Sequence, residues 1–390
     1  MARIPFAYSW RSLWARRLTT ALTVGGVALV VFVFAGVLML ARGLEATLVE
    51  TGSADNVIVL RRSATSELSS QIDRATADAL EAENGVARAG DGRALLSRDV
   101  MLIINLYKKK SGALGNVSTR GVSAHALEVR HGVRIIQGRP FQFGTHEIVV
   151  GKSIASRFKG VALGAELAFA GDRWTIVGTM DAGGTGFDSE IWGDADQFMQ
   201  AAGRPVYSSL TFRLAEPARF DQLKARLQAD PRFQSVELKH EGDYYKEQSQ
   251  TLEKFIRILG LVVTTIFSFG AMIGAMITMY AAVANRTVEV GTLRALGFRR
   301  RSVLAAFLVE SVVLALVGGG IGVALAALLS FARISVVNFQ SFSEIGFGFA
   351  LSPGVVQNAL IFAVVMGVVG GFLPAVRAAR LNIVNALRAS

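Results

Sequence analysis

Four long apolar stretches constrain this chain more than any other feature. They occupy residues 18–41, 258–284, 302–332 and 345–376; the first, second and fourth carry no charged residue and the third carries only Glu310. About 20 consecutive apolar residues are needed to cross the hydrocarbon core as a helix. Strands rarely exceed about 10 residues, so buried strands do not account for these lengths. Pro353 marks the helix start in the fourth stretch, because its missing N–H and fixed φ suit the first helical position. The first stretch follows basic residues, as a signal peptide would. It is longer than an h-region and has no small-x-small cleavage site before Arg42, so it reads as a retained helix.

Charge gives the topology. The net charge is +11, with 41 Lys/Arg and 30 Asp/Glu. Residues 43–253 are near neutral, while the remaining segments hold only three acids, Glu289, Glu310 and Glu344. The basic excess therefore lies beside the apolar stretches, which points to membrane orientation and not to nucleic acid. Arg3, Arg11, Arg16 and Arg17 precede the first stretch, Arg286, Arg294, Arg299, Arg300 and Arg301 lie between the second and third, and Arg377, Arg380 and Arg388 follow the fourth. Both termini and the 285–301 loop are accordingly expected in the cytoplasm. The expected order is a cytoplasmic interfacial helix (1–17), a first span (18–42), an extracytoplasmic domain (43–253), a stalk end and second span (254–284), a cytoplasmic loop (285–301), a third span (302–332), a short outer loop (333–352), a fourth span (353–376) and a cytoplasmic tail (377–390). The interfacial helix rests on alternating aromatic and basic residues, including Phe6, Tyr8, Trp10, Arg11 and Trp14.

The fold class is an α-helical membrane protein with four transmembrane helices and an α+β extracytoplasmic domain between the first two. Within that domain strands are expected at 56–61, 100–107, 147–150, 166–170, 174–177, 208–214 and 235–238, with helices at 67–82 and 218–229. The pattern reads as a split α+β unit, about 55–122 and 207–245, interrupted by a β-rich insertion at about 123–206. There is no cysteine, so no disulfide or thiolate metal site is available.

Few residues invite a chemical reading. Gly151-Lys152-Ser153 has the end of a P-loop, but His146 stands where that motif needs its first glycine. His125, His131, His146 and His240 form no HxxxH or HExxH pattern, so they are read as surface or core histidines and no metal is expected. Glu310 lies only about 12 Å along its helix from Ser302; a structural polar contact, such as a pair with a basic loop residue, is favoured over a proton relay. Glycines at four-residue spacing, Gly270/Gly274, Gly318/Gly322 and Gly367/Gly371, suit close helix packing. No catalytic constellation is present, so the chain is read as non-catalytic.

Two segments carry a family resemblance. In NRTVEVGTLRALGFRRRSVLAAFLVESVVLALVGGGIG, the residues Glu289, Gly291, Arg294, Ala295, Gly297 and Glu310 resemble the cytoplasmic loop and third helix of MacB/FtsX-type ABC transporter permeases. In GGFLPAVRAARLNIVNALR, the residues Pro374, Ala375, Ala378, Ala379, Ala386, Leu387 and Arg388 are similar to that family's terminal pattern, with Val384 in place of its second proline. The stretch 149–180 is similar to the family's outer domain. The resemblance implies a dimeric permease of the bacterial inner membrane that turns ATP hydrolysis into movement of the outer domain. It implies a separate ABC ATPase dimer binding ATP and Mg, with no cofactor in this chain. Further implied partners are a second permease copy or paralogue, a periplasmic adaptor protein and the lipid bilayer, without nucleic acid. ATPase coupling falls to Glu289, Gly291, Leu293, Arg294, Leu296 and Gly297, with Leu293 and Leu296 as apolar anchors and Glu289 and Arg294 as polar contacts. The outer domain's size favours MacB-like export or extraction of substrate from the outer face; the alternative is an FtsX-like transducer controlling a cell-wall hydrolase or sensor.

Overall fold

The computed structural model describes residues 17–337 and 344–382. The expected interfacial helix, apart from Arg17, lies outside the described residues, as do Val384, Ala386, Leu387 and Arg388 of the terminal pattern. The chain divides into two units: residues 1–42, 254–332 and 348–390, and residues 43–253 with 333–347.

The first unit is helical. Four long helices lie wholly or largely in it: α1 (Arg17–Val49), α7 (Glu241–Ala284), α9 (Arg300–Ala327) and α10 (Pro353–Ala379). Each is long and apolar enough to cross a membrane. At 1.5 Å per residue the 44 residues of α7 extend about 66 Å, roughly twice a hydrocarbon core. Pro353 does open α10, and the Ser352 hydroxyl caps it by accepting the Val355 N–H at 3.3 Å. Small residues let α1, α9 and α10 meet: Val27, Val31, Ala35 and Met39 pack with Ala315, Ala326, Val355, Ala359 and Ala363.

The second unit is built on a ten-stranded sheet. Its strands are β1 (Asn56–Arg61), β2 (Leu96–Tyr107), β3 (Leu114–Val122), β4 (Arg134–Gly138), β5 (Glu147–Gly151), β6 (Glu166–Phe169), β7 (Asp172–Asp181), β8 (Glu190–Asp194), β9 (Ser209–Arg213) and β10 (Val236–His240). They run in the order β10-β1-β9-β2-β3-β8-β5-β7-β4, with β6 on β7. The strand β2 joins the two halves: residues 96–99 pair with β9, and 100–107 pair with β3. The region read as a β-rich insertion thus continues the sheet of the split unit.

Both sheet faces are covered, which explains why strands such as NVIVLR lack alternation. Val57 and Val59 enter a core with Phe212, Trp174 and Phe198. Their neighbours Ile58 and Leu60 enter a second core with Trp192, Met180, Tyr244 and Tyr245. The short helices are α2 (Arg74–Glu81), α3 (Ala126–Val129), α4 (Lys152–Arg157), α5 (Ala195–Ala201) and α6 (Phe220–Ala229).

Two expectations need correction. The helix foreseen at 67–82 begins only at Arg74. Asp73 caps it by accepting the Thr76 N–H at 2.7 Å, and the backbone of Ile72 pairs with Tyr207 as an isolated bridge. The short outer loop at 333–352 also contains a two-stranded sheet, β11 (Arg333–Val337) and β12 (Glu344–Gly348), and residues 333–347 group with the α/β unit.

Candidate functional site

Between α7 and α9 the chain forms a nine-residue helix, α8 (Thr287–Ala295). Its termination is written in the sequence. Gly297 adopts φ +91°, the left-handed conformation that glycine takes without a Cβ penalty. Its N–H donates to the Arg294 carbonyl at 3.1 Å, and the Phe298 N–H reaches the Leu293 carbonyl at 3.2 Å. This is a Schellman closure, which satisfies carbonyls that a helix end leaves open.

One side of α8 is fastened to the membrane helices. Val290, 2% exposed, packs with Met279, Val283, Val303, Phe307, Ala375 and Ala378. Just before α8, Arg286 Nη1 donates to Glu310 Oε2 on α9 at 3.0 Å, and both side chains are buried. The Arg286 guanidinium also lies 5.8 Å from the Phe307 ring centre. Arg294 Nη1 donates to the carbonyls of Ala379 at 3.1 Å and Leu381 at 3.4 Å, at the C-terminus of α10. A cation there meets open carbonyls and the negative helix end.

The other side faces outward. Leu296 is 73% exposed and Val288 39% exposed, with Thr292 and Ala295 also exposed. Glu289 is half-exposed and ion-pairs with Arg286 at 3.3 Å. Among the residues expected to couple, Leu296 and Glu289 lie on the outward side, Leu293 is half-buried, Gly291 is buried, and Arg294 is engaged within the chain. Sequence reasoning missed Val288, whose signal is its position one turn before Thr292 and two before Ala295.

The glycine pairs divide similarly. A Cβ on Gly318 would stand 2.8 Å from the Val24 carbonyl, and one on Gly322 would stand 2.6 Å from that of Ala28, both on α1. A Cβ on Gly367 would meet Ala315 Cβ at 2.6 Å, and one on Gly371 the side chain of Ser311. A Cβ on Gly270 or Gly274 would meet nothing within 4 Å. These two do not serve packing among the described helices.

The α/β unit holds a buried ionic network that the sequence reading did not find. Arg120 on β3 donates to Glu67 at 2.6 and 2.9 Å, to Glu190 at 2.9 and 3.0 Å, and to Asp99 at 3.0 Å. Arg130 donates to Asp99 and, at 3.0 Å, to Thr211. Its Nε lies 3.7 Å from Glu241, the first residue of α7. Glu241 Oε2 accepts the Ser53 N–H at 3.0 Å and Asn56 Nδ2 at 2.9 Å. Burial opposes charge on Asp99, yet Arg130 and Arg120 hold it below the usual carboxylate range. Burial likewise opposes charge on Arg120, but Glu190 and Glu67 raise it well above the ordinary arginine value. The network assembles by strand period and register. Arg120 stands opposite Met101 and Trp192, so Asp99 and Glu190, each two residues away on its strand, share its face. The available signal was ionic residues inside otherwise apolar strand patterns.

The outward side of α8 offers an apolar contact backed by fixed helices, and the network fixes the first residue of α7 to the sheet. Neither arrangement is a catalytic constellation, and no metal-binding group of His, Asp and Glu occurs among the described residues. Lys152, the lysine of the GKS triplet, forms ion pairs with Asp181 and Asp188.

Known proteins match both units. A family model described as MacB-like periplasmic core domain matches residues 20–230, and one described as FtsX-like permease C-terminal matches residues 261–383. The macrolide export ATP-binding/permease protein MacB of Nitrobacter winogradskyi is 27% identical over 392 residues, covering 94% of this chain and 57% of that protein. Its counterpart in Nitrosomonas europaea is 27% identical over 406 residues, covering 97% and 58%. That of Escherichia coli K12 is 34% identical over 193 residues, covering 47% and 28%. The chain thus spans less than three-fifths of the length of these curated relatives. Among solved structures, the periplasmic region of MacB from Actinobacillus actinomycetemcomitans aligns with a TM-score of 0.37 and 11% identity, covering 53% of this chain and 94% of that one. The extracellular domain of the ABC-type transporter YknZ from Gram-positive bacteria aligns with a TM-score of 0.36 and 14% identity, covering 47% and 99%. The two family matches, the first of which spans more than half of the chain, make this membrane protein a member of the MacB/FtsX-type ABC transporter permeases.

Proposed function

We propose that this chain is the permease subunit of an ATP-driven, MacB-like transporter and that α8 is where a partner ATPase takes hold. In this reading both termini and α8 face the cytoplasm, the α/β unit lies outside, and two permease copies work with an ATPase dimer on a partner chain. ATP and Mg are bound by that ATPase. The observation that carries the reading is the two-sided character of α8, with Val288 and Leu296 outward and Val290, Arg286 and Arg294 fastened inward. An apolar residue that becomes desolvated at a contact contributes affinity. A helix tied by a buried ion pair and by carbonyl contacts passes displacement to α9 and α10 instead of yielding locally. The helix α7 runs unbroken for 44 residues to Glu241, so movement at one end reaches the side chain held by Ser53 and Asn56. The outcome of the cycle is export, or extraction of substrate from the outer face.

The chain contains no cysteine, which allows a direct test. Leu296→Cys carrying a maleimide-benzophenone should photocross-link to the co-expressed ATPase. The same probe at Lys110→Cys should not. Cross-linking from Lys110 and none from Leu296 would refute the assignment.

A further inference from the structure

A cavity of about 370 Å³ opens on the α/β unit, lined by Lys108, Lys110, Ser153, Arg157, Arg333 and Ser335 among others. Three separate segments supply its cations: the β2–β3 turn gives Lys108 and Lys110, α4 gives Arg157, and β11 gives Arg333. Behind the lining lies the carboxylate of Glu344 on β12, which is only 5% exposed. Its Oε1 pairs with Lys108 at 2.5 Å, and its Oε2 accepts from Arg157 at 2.8 Å and Ser335 at 3.3 Å. Two glycines leave these side chains room. A Cβ on Gly346 would stand 2.7 Å from both Arg157 Nη1 and Ser153 Oγ, and one on Gly115 would stand 2.8 Å from Glu344 Oε1 and from Lys108 Cε.

Glu344 therefore holds two cations in place without neutralising the cavity. Lys110 and Arg333 are exposed and make no ion pair within 4.0 Å to any described residue. Four cations meet Glu344 and, at longer range from Arg333, Asp181, whose own ion-pair partner is Lys152, so the cavity keeps an excess of positive charge and the ligand it favours is an anion. Burial lowers the Arg157 pKa despite the opposing pull of Glu344, as expected of a cation short of counter-charge. Two arginines and two lysines at a concave surface are the usual chemistry for phosphate, which accepts several charge-assisted hydrogen bonds at once. The volume falls in the range of small-molecule sites, about 300–1,000 Å³, and exceeds what a bare phosphate fills.

We propose that this cavity binds a phosphate ester. Either a phospholipid headgroup or a soluble phosphate compound supplies that chemistry. Arg333 favours the lipid source, since in the chain it directly follows the apolar stretch 302–332. The proposal does not depend on how the ATPase docks, because binding is measured without nucleotide or partner.

The purified full chain in non-ionic detergent is dialysed to equilibrium against inorganic phosphate and, separately, against dihexanoyl phosphatidylglycerol. Saturable binding of at least one ligand is expected. It should weaken about tenfold or more in Lys110→Glu/Arg333→Glu and stay within about twofold in Lys110→Arg/Arg333→Lys. Tighter binding of the lipid identifies a headgroup site, and tighter or equal binding of inorganic phosphate identifies a soluble ligand. If neither ligand binds the wild-type chain, or if both bind the Lys110→Glu/Arg333→Glu variant as they bind the wild type, the proposal is overturned.

Discussion

Arg286 and Glu310 show what a single pair does in this fold. Intramembrane carboxylates often mark proton or ion pathways, but here Glu310 is held by the arginine that precedes α8. Removing one partner leaves a buried charge. Arg286→Ala should therefore lower stability by about 3–5 kcal/mol, read as a fall in the thermal midpoint of the detergent-solubilised chain. Replacing both, as Arg286→Leu/Glu310→Met, should recover most of that loss; a double variant as unstable as the single would contradict the assignment. Asp99 makes a different prediction because its pKa is lowered in the folded state. A group with a depressed folded pKa contributes stability above its unfolded value and loses it as pH falls through the folded one. The α/β unit should thus lose stability in acid below the ordinary aspartate range. Asp99→Asn should lower the melting point at about pH 7 and flatten the drop between about pH 5 and pH 2, followed by near-UV circular dichroism. The Glu310 contact was legible because a lone acid in an apolar stretch close to a basic loop has few alternatives. The Asp99 network was not, because its bonded partners lie between 21 and 188 residues apart in the chain and meet only in the folded sheet.

At the scale of elements, the helices were easier to read than the strands. Apolar length alone fixes a membrane helix, and Ser352 with Pro353 marks the start of α10. The helix foreseen at 67–82 was overextended because Leu68 and Ile72 fit a helical period, whereas Asp73 caps a new start. The short sheet at β11 and β12 was hidden because β12 merges with the apolar run before Pro353. Four-residue glycine spacing also could not say which pairs are packed. The structure separates them, and with them the outcomes of substitution. Gly318→Leu or Gly322→Leu drives a side chain into the backbone of α1 and should destabilise by about 1–3 kcal/mol or prevent folding. Gly270→Leu and Gly274→Leu enter open space and should leave the thermal midpoint of the isolated chain nearly unchanged. Equal effects at the two sites would show that the helix arrangement is wrong.

On the scale of the whole molecule, the four spans and the domain between the first two were written in hydropathy, while the division of labour along α8 was not. Its motif residues were visible as a group, yet the sequence could not separate those that face outward from those that fasten inward. Arg294 illustrates this: its guanidinium donates to the carbonyls at the end of α10. Val288 therefore joins Leu296 in the test, in place of the half-buried Leu293. Both are exposed, so Val288→Asp/Leu296→Asp should insert and melt like the wild type while placing two charges in a contact that must be desolvated. The direct measurement is the stoichiometry of ATPase that co-purifies with this variant from the native membrane. Most of the bound ATPase should be lost while the permease melting point stays unchanged. Wild-type stoichiometry in the double variant would contradict it.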